Sequence, residues 1–326
     1  MKSSGHSAPT DSIHFDKTVV SESVENKGEY KTDFVTVKRW GDAVGEKKKY
    51  ILITEDESFK FKGIVNLNFE REGYGINEHE NGEKYLGYYQ NNLRNGHGFY
   101  SYLPDKKDNQ LLSEYYYGLW KDDLKNGYGV YLWLNEDVSK KPFTDFDHAN
   151  FQAFVGDAEK DIFKKGTLLS KEGEDYLVYH GTFNTDGKRE GPNCFCYSAS
   201  LEELCFGEYS DDKFVKGYVA HFDEDGNVKN FLKYTDGQII NKDKVNEEEF
   251  KKNSKIMLDF RNVIMGKDYF GSVYNGFSTI KNFDETKMCS ADIFNSDEYS
   301  KLMEVAVAYN QISIYKDIEQ MVEYTK

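Results

Sequence analysis

Residues 85–100 read YLGYYQNNLRNGHGFY, and residues 116–131 read YYGLWKDDLKNGYGVY. Both follow one skeleton: aromatic-x-Gly-x-aromatic, a short polar stretch, then Gly-x-Gly-x-aromatic. In Tyr85-x-Gly87-x-Tyr89 and Tyr116-x-Gly118-x-Trp120 the rings and the glycine alternate. On an extended strand all three share one face, because successive side chains point to opposite sides. The glycine leaves a notch between two rings, into which a bulky ring of an adjacent unit can settle. The second segment, Gly96-x-Gly98 or Gly127-x-Gly129, offers similar notches. Two extended segments joined by a few polar residues predict a β-hairpin.

The same skeleton recurs on either side. The first glycine of each copy is Gly63, Gly87, Gly118, Gly156, Gly181 and Gly207, at spacings of 24, 31, 38, 25 and 26 residues. A base period near 24 fits, with insertions at roughly 104–112 and 138–149. These insertions are polar and are expected to be loops at the hairpin edge. A second glycine follows each first one: Gly73, Gly96, Gly127, Gly166, Gly191 and Gly217. The later copies are degenerate. Ala158 replaces the second aromatic, Cys205 the first, and Leu168 and Asn193 stand where the second glycine of Gly-x-Gly is expected. Asn81-Gly82, Asp186-Gly187, Asp225-Gly226 and Asp236-Gly237 are hairpin-type turn dipeptides.

An isolated two-stranded hairpin is marginal in water, but hairpins in series bury a continuous row of rings. The pattern resembles the MORN (membrane occupation and recognition nexus) repeat family over roughly residues 59–235. The resemblance implies a mainly β fold: an elongated single-layer antiparallel sheet of consecutive hairpins, about six of them. Four regions are expected: a flexible or extended tail over 1–30, short strands leading into the sheet over 31–58, the repeat sheet over 59–240 and a C-terminal helical docking segment over 241–326. In the last, Phe250, Met257, Phe260 and Ile264 have helical spacing. Residues 266–284 read as a loop. Asn295 then caps a second helix, whose stripe is Leu302, Val305, Tyr309, Ile312, Tyr315, Ile318 and Val322. That stripe either docks on its own domain or binds a partner.

Composition agrees with a β-rich chain. Aromatics make up 16% of the 326 residues, with 27 Gly and only 4 Pro, and mean hydropathy is -0.75. Tyr and Phe favour strands, and Gly supplies turns and close backbone approaches. The net charge of -15 repels nucleic acid and anionic lipid; Lys47-Lys48-Lys49 is the clearest basic run. Four cysteines are too few for a disulfide scaffold of this length. No apolar run is long enough to span a bilayer and the N-terminus lacks a signal-peptide core, so a reducing intracellular compartment is expected.

No catalytic constellation emerges. Gly-x-Gly recurs at repeat spacing and opens no helix, which argues against a phosphate-binding loop. Cys194-x-Cys196 with Cys205 lacks the spacing of a structural zinc site, and buried small strand residues are the simpler reading. The histidines are scattered. No cofactor and no metal are expected, and no enzyme. Function then rests on surface. The candidate partner-binding residues are Tyr85, Tyr89, Tyr116, Trp120, Phe183 and Tyr209, unless stacking between repeats uses these rings up. The family resemblance implies an architectural role, in a ciliary axoneme or cytoskeletal assembly, with other proteins as partners. A peripheral membrane module, or a regulatory partner of an enzyme, is the alternative.

Overall fold

The computed structural model describes residues 59–66, 68–103, 105–107, 110–135, 151–172, 175–240 and 246–265, the backbone of 29–31, 35–38 and 50–54, and Gly271, Val273 and Phe277. The strands are β1 (Glu29–Lys31), β2 (Val35–Lys38), β3 (Tyr50–Thr54), β4 (Phe59–Val65), β5 (Arg71–His79) and β6 (Lys84–Gln90). There follow β7 (Leu93–Ser101), β8 (Asp105–Lys107), β9 (Gln110–Lys121), β10 (Leu124–Asn135), β11 (Phe151–Glu159) and β12 (Ile162–Glu172). The series ends with β13 (Asp175–Phe183), β14 (Arg189–Ser198), β15 (Glu203–Ser210), β16 (Lys213–Phe222), β17 (Val228–Thr235) and β18 (Gln238–Ile240). Helix α1 (Glu247–Met265) follows the last strand.

All strands lie in one open antiparallel sheet, and each pairs with its neighbours in sequence. The single departure is local: β9 pairs with both β7 and β8, which lie along the same edge of it. The predicted fold class is therefore the observed one. The insertion expected to be a loop at 104–112 instead extends this hairpin, since Asp105–Lys107 pairs with Gln110–Leu112. The insertion at 138–149 lies outside the described residues.

The register aligns the glycines. Gly63 faces Gly75, Gly75 faces Gly87, and Gly87 faces Gly98. The row continues through Gly118, Gly129, Gly156, Gly166 and Gly181. Cys194 holds the place in β14, and Gly207 and Gly217 complete it. Tyr234 faces Gly217 and ends the row. Backbone free of side chains, interrupted only at Cys194, thus runs perpendicular to the strands from β4 to β16.

Register also explains the degenerate copies. In β4–β5, β6–β7 and β9–β10 the second strand carries four steps against two, a bulge between the turn and the row. Gly96 (φ 73°) and Gly127 (φ 102°) sit in that bulge, in a region disfavoured for side chains. In β11–β12 and β15–β16 the bulge is one residue shorter, Phe163 and Phe214 follow the turn, and no glycine is needed there. Gly166 and Gly217 are therefore row glycines. The vacancy assigned to Leu168 falls instead at the shortened bulge. In β13–β14 the bulge is longer, and Cys194 rather than Asn193 reaches the row.

The tips are tight turns. Asn91-Asn92, Asp122-Asp123, Lys160-Asp161, Asp211-Asp212 and Asp236-Gly237 all have two consecutive positive φ angles, the I′ geometry that matches strand twist. Asp236-Gly237 closes β17–β18, a seventh, shortened hairpin beyond the six read from sequence. The other glycine dipeptides work differently: only the glycine is left-handed, and Gly82, Gly187 and Gly226 bond back to His79, Asn184 and Asp223.

The opposite face carries the larger apolar core, including Tyr117, Val130, Leu132, Val155, Val178, Phe195, Phe206 and Phe231. The helix predicted from Phe250, Met257, Phe260 and Ile264 is α1, and it lies on this face. Phe260 stacks on Phe195 with centroids 4.1 Å apart, and Phe250 meets Phe231 edge-on at 4.7 Å. Lys233 pairs with Glu249 at 2.8 Å, and Arg261 with Glu202 at 3.2 Å. Residues 266–284, read from sequence as a loop, contain helical and buried Gly271, Val273 and Phe277. Phe277 packs on Tyr115 at 4.6 Å, and the Val273 carbonyl accepts from the Tyr117 hydroxyl at 3.1 Å. The predicted stripe from Leu302 to Val322 lies outside the described residues.

Candidate functional site

The candidate site is the glycine-bearing face. Its rings lie down on the row. A Cβ built at Gly129 would meet the Cζ of Tyr116 at 2.7 Å, and one at Gly63 the Cζ of Phe61 at 2.7 Å. Tyr85 covers Gly87 and Gly98, Phe154 covers Gly156 and Gly166, and Tyr179 covers Gly181 in the same way. The ring over each such notch comes from the first strand of the same hairpin, two residues before that strand's own glycine. The expectation that an adjacent unit supplies it is corrected here. A ring folded back along its own strand needs no register with a neighbour, so it is the local solution.

The adjacent unit contributes through the second aromatic. Trp120 meets Tyr116 of its own hairpin at 5.3 Å and Tyr85 of the preceding one at 5.5 Å, both edge-on. Tyr89 bridges Tyr85 and Phe61 in the same way, at 5.1 and 5.8 Å. Phe183 bridges Tyr179 and Phe154, and Tyr209 reaches Tyr179 at 5.5 Å. Edge-to-face pairs add about 0.5–1.5 kcal/mol each beyond area burial. Where Ala158 replaces the ring, Phe163 fills in, stacked on Phe154 at 4.1 Å and edge-on to Tyr131 at 5.7 Å.

Cations cap these stacks. Arg94 lies 4.6 Å from the Trp120 ring centroid and 5.2 Å from that of Tyr100, and Arg71 lies 4.6 Å from Tyr89. Lys125 is buried among Tyr102, Tyr116, Trp120 and Tyr131, and Arg189 sits over Tyr209. Each such cation is tied to the next hairpin's turn. Asp123 accepts from the Arg94 backbone N–H at 2.8 Å and from its Nε at 3.0 Å, and its own N–H donates to the Arg94 carbonyl at 3.1 Å. Asn92 with Arg71, Asp161 with Lys125 and Asp212 with Arg189 repeat this clamp. Burial alone would lower the Lys125 pKa; Tyr102 and Asp161 outweigh it and hold the ammonium above its ordinary value.

The tyrosine hydroxyls are also committed. Tyr85, Tyr116 and Tyr179 donate to the carbonyls of Tyr88, Leu119 and Thr182 at 3.1, 2.9 and 3.0 Å. Tyr100 and Tyr131 donate to the buried carboxylates of Glu83 and Glu114 at 2.9 and 2.5 Å. Burial pushes the Tyr89 phenol up to about 12, with Arg71 and Arg94 pulling it back. Cys194, Cys196 and Cys205 are free thiols, and burial raises the pKa of each, which leaves them protonated and poor nucleophiles. Among the described residues no His, Cys, Asp or Glu cluster has metal-binding geometry.

Of the six rings singled out in the sequence, Tyr85, Tyr89, Tyr116, Trp120 and Tyr209 are buried and Phe183 is half-buried. Stacking takes up their faces, so they form one continuous apolar layer rather than an open aromatic platform. The clamp residues Arg94, Asp123, Lys125 and Asp161 were not singled out. Their signal was the shared place of the turn Asn or Asp and of the cation two residues later in NNLRNG and DDLKNG.

An open sheet of hairpins whose glycine row is roofed by rings and stapled at the turns defines a repeat architecture of the solenoid class. A protein-family model for the MORN repeat matches residues 85–102 and 116–138. Among curated proteins none matches the chain. The chain carries MORN repeats over those residues.

Proposed function

We propose that the protein is a non-catalytic scaffold subunit that holds other proteins in a larger assembly. MORN repeats occur in scaffold and membrane-associated proteins, and their sheet is typically non-catalytic. The observation that carries the reading is where the reactive-looking groups go. Arg94, Lys125 and Arg189 are held on rings and turn acids, the tyrosine hydroxyls on carbonyls and carboxylates, and the thiols are kept protonated. These side chains build a stiff ribbon, and a ribbon presents long surfaces for partners. A ciliary or cytoskeletal assembly is the favoured setting. The net charge of -15 speaks against attraction to anionic lipid as the main mode.

Fractionation of cells expressing the full chain tests this. The protein is expected in a detergent-insoluble, high-mass fraction, and it should not sediment with phosphatidylserine vesicles. Elution from extract at the 37.8 kDa of the lone chain contradicts the scaffold reading. Sedimentation with those vesicles that is abolished by high salt favours the membrane alternative.

A further inference from the structure

On the face opposite the glycines, the helical cover advances across the sheet in chain order. Phe250 meets Phe231 of β17, and Phe260 stacks on Phe195 of β14. Over that stretch the helix rises about 15 Å, and the sheet from β17 to β14 is about 14 Å wide. The Tyr176 hydroxyl of β13 then donates to the Met265 thioether at 2.8 Å. Tyr117 of β9 donates to the Val273 carbonyl, and Phe277 packs on Tyr115 of β9 and on Phe99 of β7, the latter at 6.3 Å. Phe277 is the last described residue.

The apolar row underneath does not stop at β7. Phe99 faces Leu86 of β6, and Leu86 faces Ile76 of β5. Ile64 of β4 belongs to the same core. Leu86, Ile76 and Ile64 are each 4% exposed. Side chains on one face of a bare sheet have neighbours beside them and water above, so burial this deep requires a cover. A single copy of the chain reaches it, so the cover belongs to the chain. Lys60 and Lys62 stand on the same face of β4 and are exposed, which marks the border of the covered area.

We propose that residues 302–322 form a helix that lies across β4, β5 and β6 and covers Ile64, Ile76 and Leu86. Chain direction supports this. The cover has moved from β17 to β7, and the next strands in line are β6, β5 and β4. The stripe from Leu302 to Val322, with Tyr309, Ile312 and Ile318 between, has the spacing of one helix face. A helix of that length measures about 30 Å, which exceeds the roughly 10 Å from β4 to β6. Glu319 and Glu323 border the stripe and are opposite in sign to Lys60 and Lys62. Residues 1–28 hold few large apolar side chains and no such stripe. Both faces of the sheet are then closed from within, which leaves the turn-lined edges and the outer side of the helical cover for partners.

The inference does not rest on the scaffold reading, which the fractionation tests separately. Here the photo-reactive residue p-benzoylphenylalanine replaces exposed Lys62 in the full chain, and the cross-link formed on irradiation is mapped by mass spectrometry. A cross-link to 302–322 within one molecule is expected. An equal mixture of nitrogen-14 and nitrogen-15 protein separates the copies: mixed-isotope products assign the cover to a second copy and overturn the proposal. Products confined to 1–58, 138–149 or 278–295 overturn it too, as does the lack of any product. A second measurement follows the methyl signals of Leu86 and Val130 by NMR with a soluble gadolinium chelate, in the native protein and in Ile312→Asp/Ile318→Asp. Leu86 is expected to relax several-fold faster in the variant, while Val130, fully buried further along the row, keeps its protection. A folded variant in which Leu86 stays protected contradicts the proposal. Equal exposure of Leu86 and Val130 contradicts it as well, because the stripe then supports the whole sheet rather than these three strands.

Discussion

Trp120 shows how much one side chain does in this sheet. Its ring is 3% exposed, spans two hairpins by edge contacts to Tyr116 and Tyr85, supports the Arg94 guanidinium, and donates its Nε1–H to the Gly98 carbonyl at 3.3 Å. Removing it leaves a cavity and an uncovered cation together. Trp120→Ala is expected to cost about 3–5 kcal/mol in chemical denaturation. A loss below about 1 kcal/mol would mean that the ring does not roof the sheet. At this scale the sequence was informative because glycine and aromatic spacing is a direct image of the packing. It was ambiguous about which ring covers which glycine. A ring two residues back on the same strand and a ring from the adjacent hairpin satisfy the same alternation, and only the register separates them.

At the scale of the element, the hairpins were legible and their irregularities were not. A bulge shortened by one residue has no letter of its own in the sequence. It surfaces as a missing glycine, and Leu168 seemed to hold the vacancy when the cause lay nearer the turn. The β17–β18 hairpin was missed because Tyr234 stands in the glycine's place; only the Asp236-Gly237 turn betrayed it. Helix α1 was readable from its apolar period. Its docking partner was not, since that depends on the opposite face of the sheet. The helix is held at its N-terminal end by Glu249, which accepts from Lys233 and from the Tyr218 hydroxyl. These bonds lower the Glu249 pKa below the ordinary carboxylate value. A carboxyl with a depressed folded value contributes stability above its unfolded pKa of about 4.3 and loses it as pH falls through the folded value. Acidification from pH 5 toward 3 is therefore expected to increase hydrogen exchange in 247–260, and Glu249→Gln should flatten that dependence. Exchange in the helix that is indifferent to Glu249→Gln would show that the helix is held by its other contacts, Phe250, Met257, Phe260, Ile264 and the Arg261–Glu202 pair.

At the scale of the whole molecule, the two faces divide the labour. One carries the glycine row, the rings and the clamps from turn to turn, so each hairpin is stabilised chiefly by its neighbours. The other carries a broad aliphatic and aromatic core that α1, Val273 and Phe277 pack against. The row ends where Tyr234 occupies it, just as the strands shorten to Gln238–Ile240. The fold class was available from the repeat skeleton. That the aromatic face would be sealed was not, because sealing depends on Arg71, Arg94, Lys125 and Arg189 folding over rings that are distant in sequence.

The central claim is that rings pressed onto side-chain-free backbone set the sheet. Gly129 tests it most directly, because the nearest atoms to an added Cβ there all belong to the Tyr116 ring. The measurement is a double-mutant cycle in chemical denaturation with Gly129→Ala, Tyr116→Ala and the pair. Gly129→Ala is predicted to be strongly destabilising in the native background and nearly neutral once Tyr116 is alanine, a coupling of about 2 kcal/mol or more. Strict additivity of the two substitutions would contradict the account.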